Sequence, residues 1–238
     1  MKFLLCSMGN IMQRHFRNLK KLQPNCEIDI YTEAKDEFRI FDDRLNITHA
    51  KSLFEFYQIN TIFYGSELDD AIYGRDYDAV FIGSLPPNRI DIAIKCAMEG
   101  FNLFIEKPLS NNLDKVYKLK ELVEENNMKC ALGFQMRFNP IIEQIKQMVD
   151  GDIFGDIYRI EVNHCNSIHN WTKGRDLKDF YALKEPNGGV LLSQIHEIDY
   201  LTYIFGKHYP ISAIYGSWLN AEVEDNITIL SNLESEDR

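Results

Sequence analysis

The chain has 238 residues, enough for one large domain or two small ones, and 45% of them are hydrophobic, as in ordinary globular proteins. Its formal net charge of -10 argues against nucleic acid as a partner, because phosphate-binding surfaces need clustered Lys and Arg. No run approaches the ~18 apolar residues of a transmembrane helix, so no membrane partner is expected. The five cysteines are scattered and form no CxxC pair, which predicts no metal site and no disulfide framework, but reduced thiols in a cytoplasmic protein.

Strands and helices alternate through the first part of the chain. The apolar run 2–6 is followed at once by polar residues, which predicts a buried strand and not an export signal. The helix after it has one apolar stripe, formed by Ile11, His15, Leu19 and Leu22. Further strands are predicted at 26–31, 61–64, 79–82, 102–105 and 129–134. Further helices are predicted at 50–56, at 89–99 with Gly100 as C-cap, and from a cap at Ser110 or Asn111 through Leu113, Val116, Leu119 and Val123. This alternation favours a parallel sheet with right-handed crossovers.

The pattern changes near residue 139. Asn139 as N-cap and Pro140 at the first helical position predict a helix that runs to Met148. Residues 157–163 alternate strictly between apolar and polar, which predicts a half-exposed strand of an antiparallel sheet. A helix over 188–205 and strands at 211–219 and 223–233 follow. We therefore predict an α/β domain over residues 1–138 and an α+β domain over residues 139–238.

The most informative segment is Glu106-Lys107-Pro108. It follows directly on the predicted strand 102–105. In an open parallel sheet, ligands bind outside the carboxyl ends of the strands, so Lys107 is placed to reach a bound cofactor or substrate. Pro108 rigidifies the turn, and the bond before it is of the kind that can be cis.

The turn after the first strand is where a dinucleotide fingerprint G-x-G-x-x-G would lie. Its three positions hold Ser7, Gly9 and Met12, so the glycine remains only where the backbone must approach a pyrophosphate. Ser7 replaces the first glycine with some strain, and Met12 is expected to loosen the packing of helix on sheet. Taken alone, the segment is equally well interpreted as an ordinary strand-turn-helix.

The choice between NAD and NADP is left open by the sequence. About 20 residues beyond the fingerprint, where an acid would bind the adenosine ribose, stand Thr32 and Glu33. Glu33 favours NAD. Thr32 together with Lys35 or Arg39 would instead admit the extra phosphate of NADP.

Four segments in this order go beyond pattern: Ser84-Leu85-Pro86-Pro87-Asn88-Arg89, Glu106-Lys107-Pro108-Leu109-Ser110, Gly133-Phe134-Gln135-Met136-Arg137-Phe138-Asn139-Pro140, and Gly188-Gly189-Val190-Leu191-Leu192-Ser193-Gln194-Ile195-His196-Glu197-Ile198-Asp199-Tyr200. Together they resemble the Gfo/Idh/MocA family, named after glucose-fructose oxidoreductase, inositol dehydrogenase and rhizopine catabolism. The resemblance covers nearly the whole chain. A further segment, Trp171-Thr172-Lys173-Gly174-Arg175-Asp176 with Tyr181, is similar to the branch found among bacterial sugar-nucleotide and surface-polysaccharide genes.

The resemblance implies a Rossmann doubly wound sheet in residues 1–138, and a mostly antiparallel sheet for substrate and oligomer contacts in residues 139–238. It implies hydride transfer between NAD or NADP and a hydroxyl-bearing carbon of a sugar or sugar-nucleotide. The implied cofactor contacts are Ser7, Gly9, Asn10, Ile11, Met12, Thr32, Glu33, Ser84, Pro86, Glu106, Lys107 and Gln135. The implied substrate contacts are Arg137, where the two domains would meet, and Trp171, Arg175, Asp176, Tyr181 and His196.

The resemblance implies Lys107 as the catalytic or cofactor-orienting lysine and His196 as the acid/base, and we add Asp199 as a catalytic candidate that would compensate for a missing family aspartate. Histidine suits proton transfer near neutral pH, and a lysine ammonium suits a developing alkoxide. On the predicted helix 188–205, one face carries Leu192, His196, Asp199 and Tyr203. The plainer interpretations are a helix histidine satisfied by local hydrogen bonds and a surface lysine. Likewise, the charges and aromatic rings of 171–181 either contact a sugar or serve as loop surface and packing.

Two departures from the family pattern leave alternatives open. Inositol dehydrogenases place an aspartate four residues before the catalytic histidine, and other branches place it three before; this chain has Leu192 and Ser193 there. The chain is also shorter than the family's C-terminal sheet requires, which would leave an unpaired edge that invites self-association. The leading hypothesis is an NAD(P)-dependent sugar oxidoreductase. The alternatives are a non-catalytic relative that binds a nucleotide or sugar and, less favoured, a dehydratase or hydrolase that uses nicotinamide transiently.

Overall fold

The structure is a computed structural model that describes residues 1–33, 40–42, 57, 59–168, 181–185, 188–219 and 221–234, without the side chains of Pro87 and Tyr181. The chain divides into two compact units, Met1–Gly133 and Phe134–Arg238. The predicted helix at 50–56 lies outside the described residues. Among the helices that are described, none is long and apolar enough to cross a membrane.

The N-terminal unit is built on one six-stranded parallel sheet. Its strands are β1 (Lys2–Cys6), β2 (Glu27–Thr32), β3 (Thr61–Tyr64), β4 (Ala79–Ile82), β5 (Asn102–Ile105) and β6 (Cys130–Leu132), in the spatial order β3-β2-β1-β4-β5-β6. The α-helices in the described part of this unit are α1 (Asn10–Leu22), α2 (Leu68–Ile72), α3 (Pro86–Met98) and α4 (Val116–Glu125). The predicted doubly wound α/β fold is therefore confirmed.

Apolar side chains cover both faces of this sheet. Successive strand residues point to opposite faces, so in β1 Leu4 and Cys6 join one buried cluster while Phe3 and Leu5 join the other. Parallel strands covered on both faces read as continuous apolar runs, and this is why β1, β4 and β5 are recognisable in the sequence. Each fully buried Leu or Ile contributes ~1.5–3 kcal/mol relative to exposure.

Helix α1 is present, but its buried stripe differs from the predicted one. The apolar residues buried against the sheet are Met12, Phe16 and Leu19, whereas Leu22 is 77% exposed. The spacing of Met12, Phe16 and Leu19 also follows the helical period, so periodicity alone did not separate the two stripes. Leu22 is the last residue of the helix.

A polar side chain, Gln13, is fully buried beneath α1. Its amide nitrogen donates to the backbone oxygen of Met8 at 2.9 Å. Its amide oxygen accepts from the backbone N–H of Phe41 at 2.8 Å and from the hydroxyl of Tyr57 at 3.0 Å. These bonds satisfy a group that would otherwise be costly to bury, and they hold the chain after β2 against α1.

The predicted caps of α4, Ser110 and Asn111, are wrong. The helix begins after Lys115, which makes no side-chain cap. The preceding residues form turns of their own, because the hydroxyl of Ser110 accepts from the N–H of Asn112 at 3.3 Å, and the side-chain oxygen of Asn112 accepts from Asp114 at 3.1 Å. Such local bonds compete with helix formation.

The C-terminal unit contains α5 (Pro140–Asp150), α6 (Gly189–Ser193), α7 (Ile195–Phe205) and an antiparallel pair, β7 (His208–Gly216) with β8 (Asn226–Leu233). The predicted start of α5 is confirmed, since the side chain of Asn139 accepts from the N–H of Ile141 at 2.9 Å. The predicted antiparallel sheet is present as this pair, whose register runs from His208 opposite Leu233 to Gly216 opposite Asn226.

The predicted strand at 157–163 is wrong. These residues form no strand, and Tyr158 is 92% exposed. Alternation of polar and apolar residues produces a strand only where a neighbouring backbone accepts its hydrogen bonds, and none of the described strands pairs with this segment.

The predicted helix over 188–205 is two helices. The chain breaks at Gln194, whose φ of -104° and ψ of 31° leave the helical region. The first turn of α6 is held by Glu224, whose backbone oxygen accepts from Val190 at 2.9 Å and whose carboxylate accepts from Leu191 at 3.1 Å. Helix α7 packs instead on α5. The first segment is hydrogen-bonded to Glu224 and the second packs on α5, and the break at Gln194 lets each segment keep its own contacts.

Candidate active site

The carboxyl ends of four strands are aligned in the N-terminal unit. Cys6 pairs with Ile82, Ile82 with Ile105, and Ile105 with Leu132. The next residues continue this alignment through hydrogen bonds from Gly83 to Cys6 (3.0 Å), from Glu106 to Ile82 (2.9 Å) and from Gly133 to Ile105 (2.8 Å). The strand order reverses between β1 and β4, and such a reversal forms the crevice in which open α/β sheets bind ligands.

The N-terminus of α1 opens at this crevice. Its N-cap is Gly9, which has no side chain that could cap the helix. A Cβ added to Gly9 would meet nothing nearer than the hydroxyl of Ser7 at 3.8 Å, so the backbone is open on that side. Exposed N–H groups at a helix start attract anions, and Asn10 and Ile11 carry the first of them here.

Ser7, at the position of the first fingerprint glycine, has a φ of +97°. This left-handed region is unusual for a residue with a side chain, as the sequence led us to expect. The hydroxyl of Ser7 accepts from the N–H of Gly9 at 3.3 Å, which helps to hold the turn.

Met12, at the position of the third glycine, is fully buried in the core. Its side chain lies directly over Gly83, where an added Cβ would overlap the Cγ and Sδ atoms of Met12. The space that the fingerprint normally creates on the helix is therefore created here on the strand end, by a glycine that the sequence analysis did not single out.

The crevice is bordered by polar groups from β2 and β4. Thr32 is buried at the end of β2, and the carboxylate of Glu33 accepts from the side-chain amide of Asn88 at 2.8 Å. Ser84 follows β4, and its buried hydroxyl has no hydrogen-bond partner among the described residues. The next turn begins α3 with the buried Pro86. Lys35 and Arg39 lie outside the described residues.

Arg89 organises the loops after β4 and β5, and sequence reasoning assigned it no role. It is 5% exposed, and its guanidinium donates to the backbone oxygens of Ser84 (2.6 Å), Glu106 (2.8 Å) and Pro108. The sequence carried a signal for this role, because Arg89 is a cation directly before the buried apolar residues Ile90 and Ile92 of α3. Lys107 is half-buried in the loop so held, and the bond from Lys107 to Pro108 is cis.

The carboxylate of Glu106 points inward from this loop. It lies 2.8 Å from Nε2 of His15 on α1, and its side chain is 7% exposed. Gly133 lies against it, because a Cβ there would approach its Oε1 to 3.1 Å. Neither contact is visible in the sequence, since His15 and Glu106 are 91 residues apart.

Within the C-terminal unit, Asp199 on α7 is paired with Arg137. Nε of Arg137 lies 2.9 Å from one carboxylate oxygen, and Nη2 lies 2.6 Å from the other. The hydrogen bond with Asp199 raises the pKa of Arg137 above its ordinary value. The guanidinium also lies 5.6 Å from the ring of Phe134 and 5.2 Å from that of Tyr203. Asp199 is thus engaged in fixing Arg137, and its catalytic role stays a prediction.

The remaining predicted residues are placed as follows. His196 lies on α7, with its ring 6.3 Å from that of Phe134 in an edge contact. Leu192 is on α6, so the break at Gln194 removes it from the helix face that His196 and Asp199 share. Gln135 is exposed in a short 3-10 helix. Trp171, Arg175, Asp176 and the side chain of Tyr181 lie outside the described residues. No three His, Cys, Asp or Glu side chains among the described residues are grouped to hold a metal ion.

Replacing Arg137 with alanine is expected to destabilise the C-terminal unit by ~1–3 kcal/mol. The change leaves the buried carboxylate of Asp199 without its bidentate partner, but Arg137 is itself 40% exposed, so we expect less than for a fully buried pair. Hydrogen exchange of the backbone amides of α5 and α7 in urea, followed by mass spectrometry, measures this loss.

The matched control is Arg159→Ala, which removes a fully exposed pair with Glu161 and is expected to leave stability nearly unchanged. Equal effects of the two substitutions would contradict a structural role for the pair of Arg137 and Asp199.

The parallel sheet, its strand order and the open helix start at the reversal point define a dinucleotide-binding α/β protein. Residues 1–134 match the family model described as "Oxidoreductase family, NAD-binding Rossmann fold", and residues 142–236 match that of the GFO/IDH/MocA C-terminal domain. The chain therefore belongs to the Gfo/Idh/MocA oxidoreductase family, and the resemblance seen in its sequence is confirmed.

The curated relatives include dehydrogenases that are named for different substrates. The scyllo-inositol 2-dehydrogenase (NAD(+)) of Bacillus subtilis is 28% identical over 144 residues, covering 60% of this chain and 40% of the relative. The trans-1,2-dihydrobenzene-1,2-diol dehydrogenase of Xenopus laevis is 26% identical over 169 residues, covering 70% and 49%. The chain thus matches about half or less of the length of these relatives.

Solved structures share the fold. The WlbA dehydrogenase of Bordetella pertussis, in complex with NADH and UDP-GlcNAcA, superposes with a TM-score of 0.76 at 18% identity, over 95% of this chain and 62% of that one. The apo scyllo-inositol dehydrogenase of Lactobacillus casei at 77K has a TM-score of 0.69 at 20% identity, over 92% and 59%.

Proposed function

We propose that this chain carries the nucleotide site and part of the substrate site of an NAD(P)-dependent oxidoreductase. The reaction moves a hydride between nicotinamide and a hydroxyl-bearing carbon of a sugar or sugar-nucleotide. The observation that carries the proposal is the aligned carboxyl edge of the sheet, where the open start of α1, Ser84 and Lys107 all follow strand ends. Membership of the family supports it.

The residues of the crevice fit a dinucleotide. The open backbone at Gly9 and the first N–H groups of α1 suit a pyrophosphate, and the buried hydroxyl of Ser84, which has no partner in the described part of the chain, could bond to a ligand. Glu33, at the end of β2, suits the hydroxyls of an adenosine ribose. When bound, the nicotinamide supplies the hydride acceptor or donor.

We assign the chemistry of the substrate to two side chains. The ammonium of Lys107 stabilises negative charge on the substrate oxygen, and the loop that Arg89 holds keeps this lysine in place. The imidazole of His196 takes the hydroxyl proton, or returns it in the reverse direction. We assign to Asp199 the role of holding Arg137, because its carboxylate is already paired with that guanidinium. We do not assign to it the catalytic role of the aspartate that inositol dehydrogenases place before the histidine.

Binding of NADH is expected to be at least about tenfold tighter than binding of NADPH. The carboxylate of Glu33 is held by Asn88 at 2.8 Å, and the extra phosphate of NADPH would meet its negative charge. Titration followed by nicotinamide fluorescence measures both affinities. Glu33→Gln removes the charge but keeps an acceptor for Asn88, and should narrow the difference. Tighter binding of NADPH would contradict the assignment of Glu33.

The same titration tests the proposed function as a whole. Saturable binding of either nucleotide justifies a screen of sugars, polyols and sugar-nucleotides for net reduction of the oxidised cofactor. A folded protein that binds neither nucleotide would favour the non-catalytic relative. Turnover without net accumulation of reduced cofactor would favour the dehydratase or hydrolase.

Sugar-nucleotides are the first substrates to screen. The WlbA dehydrogenase of Bordetella pertussis, which shares the fold, is in complex with UDP-GlcNAcA, and this supports the choice.

All five cysteines are free, which agrees with action in the reducing cytoplasm. Ile211, Ile214 and Leu230 are exposed on β7 and β8, and they support association of two copies through this sheet.

A further inference from the structure

His15 lies where the start of α1 and the end of β5 come together. The residue is in the second turn of α1 and is half-buried. Its imidazole packs against the rings of Phe81, at 5.8 Å, and Phe104, at 4.9 Å. Its Nε2 lies 2.8 Å from Oε1 of Glu106, so an N–H on this nitrogen donates to the carboxylate in either charge state of the ring.

Glu106 is held by hydrogen bonds at its backbone N–H, its backbone oxygen and its carboxylate. Its N–H donates to Ile82 at 2.9 Å, and its backbone oxygen accepts from Arg89 at 2.8 Å. Its carboxylate is directed to His15, and Gly133 leaves it just enough room. A buried carboxylate needs donors, and without one it would turn toward solvent and carry its backbone with it. The backbone that would move leads directly into Lys107.

We propose that His15 is a positioning residue that fixes Glu106 and, through it, the orientation of Lys107. The inference rests on the proposed function, because the orientation of Lys107 matters only if its ammonium acts on a substrate oxygen. The hydrogen bond ties the helix whose open N-terminus suits a pyrophosphate to the loop that bears the reactive lysine. We assign His15 no contact of its own with nucleotide or substrate, since its imidazole is placed against Phe81, Phe104 and Glu106. The hydrogen bond between His15 and Glu106 therefore fixes the position of Lys107 relative to the start of α1, and all of these residues lie in the N-terminal unit.

Amine labelling of Lys107 tests the proposal without an identified substrate. The intact chain is treated with an acetylating reagent, and acetylation of Lys107 and of the exposed Lys118 is followed by peptide mass spectrometry. His15→Phe keeps an aromatic ring between Phe81 and Phe104 but removes the donor. It is expected to raise the labelling rate of Lys107 at least about fivefold, because Lys107 is half-buried and a loop released from His15 would expose its amine to the reagent.

Three further variants complete the test. His15→Gln places an amide N–H near the position of Nε2 and should restore labelling of Lys107 to within about twofold of wild type. Arg14→Gln changes the exposed neighbour on the same helix and should alter nothing. His15→Asn, whose amide is too short to reach Glu106, should behave like His15→Phe and replaces it if that variant does not fold.

The proposal is overturned if Lys107 is labelled at the wild-type rate in both His15→Phe and His15→Asn, since His15 would then only pack. It is also overturned if Lys118 changes in parallel, because that indicates general loosening. Titration of wild type with NADH is a separate arm. Failure to bind NADH there, together with failure to bind NADPH, removes the proposed function, while the labelling comparison still decides the role of His15.

Discussion

Lys107→Ala is expected to lower kcat about 10²–10³-fold for any sugar or sugar-nucleotide that the screen identifies. The substitution removes the cation that we assign to the developing charge on the substrate oxygen, and loss of one such group typically costs that much. The loop should persist, because Arg89 holds it through the backbone oxygens of Glu106 and Pro108 and not through the lysine side chain. The affinity for NADH should therefore change less than about tenfold.

Steady-state rates with saturating cofactor measure this effect. Lys118→Ala, on the exposed side of α4, is the matched control and should leave kcat unchanged. A Lys107→Ala variant that turns over at the wild-type rate would show that the lysine is an ordinary surface residue, which is the plainer interpretation of its sequence.

Gly83→Ala is expected to destabilise the N-terminal unit by ~1–3 kcal/mol, the usual cost of overpacking a core. The added Cβ would overlap the side chain of Met12, which is fully buried and has little room to move aside. Urea unfolding followed by far-UV circular dichroism measures the loss. Gly216→Ala is the control, since a Cβ there meets its nearest neighbour, Nδ2 of Asn226, at an ordinary 3.5 Å.

The cause is tested by a double-mutant cycle. Met12→Ala alone should cost ~2–5 kcal/mol, because it opens a cavity. Combined with Gly83→Ala, the two substitutions should cost less than their sum by ~0.5–3 kcal/mol, since each removes the reason for the other's effect. Simple additivity would show that Met12 and Gly83 are not coupled, and that the strand end accommodates the methionine by other means.

Local patterns in the sequence were sufficient for most of the fold. The strands β1, β4 and β5 are buried on both faces and read directly as apolar runs, and the cap of α5 depends only on Asn139 and its neighbours. The errors occur where the outcome depends on distant partners. Residues 157–163 lack a neighbouring strand among the described residues, and the break at Gln194 follows from contacts that α6 makes with Glu224.

The candidate site divides in the same way. The position of Lys107 after a strand end follows from chain order and the general behaviour of parallel sheets. The groups that hold it do not. Arg89 reaches Glu106 across 17 residues and His15 reaches it across 91, and no local pattern predicts which of many polar residues will be brought together. The roles of these residues are long-range properties of the folded chain.

Gln13 ties the turn before α1 to the chain that follows β2. Its side-chain amide accepts from the N–H of Phe41 and donates to the backbone oxygen of Met8, which lies between β1 and the open helix start at Gly9. A substitution at Gln13 would therefore cost core stability and would also weaken the turn to which we assign the pyrophosphate. Engineering of nucleotide binding in this chain should leave this buried amide unchanged, because a loss of stability and a loss of affinity would otherwise be measured together.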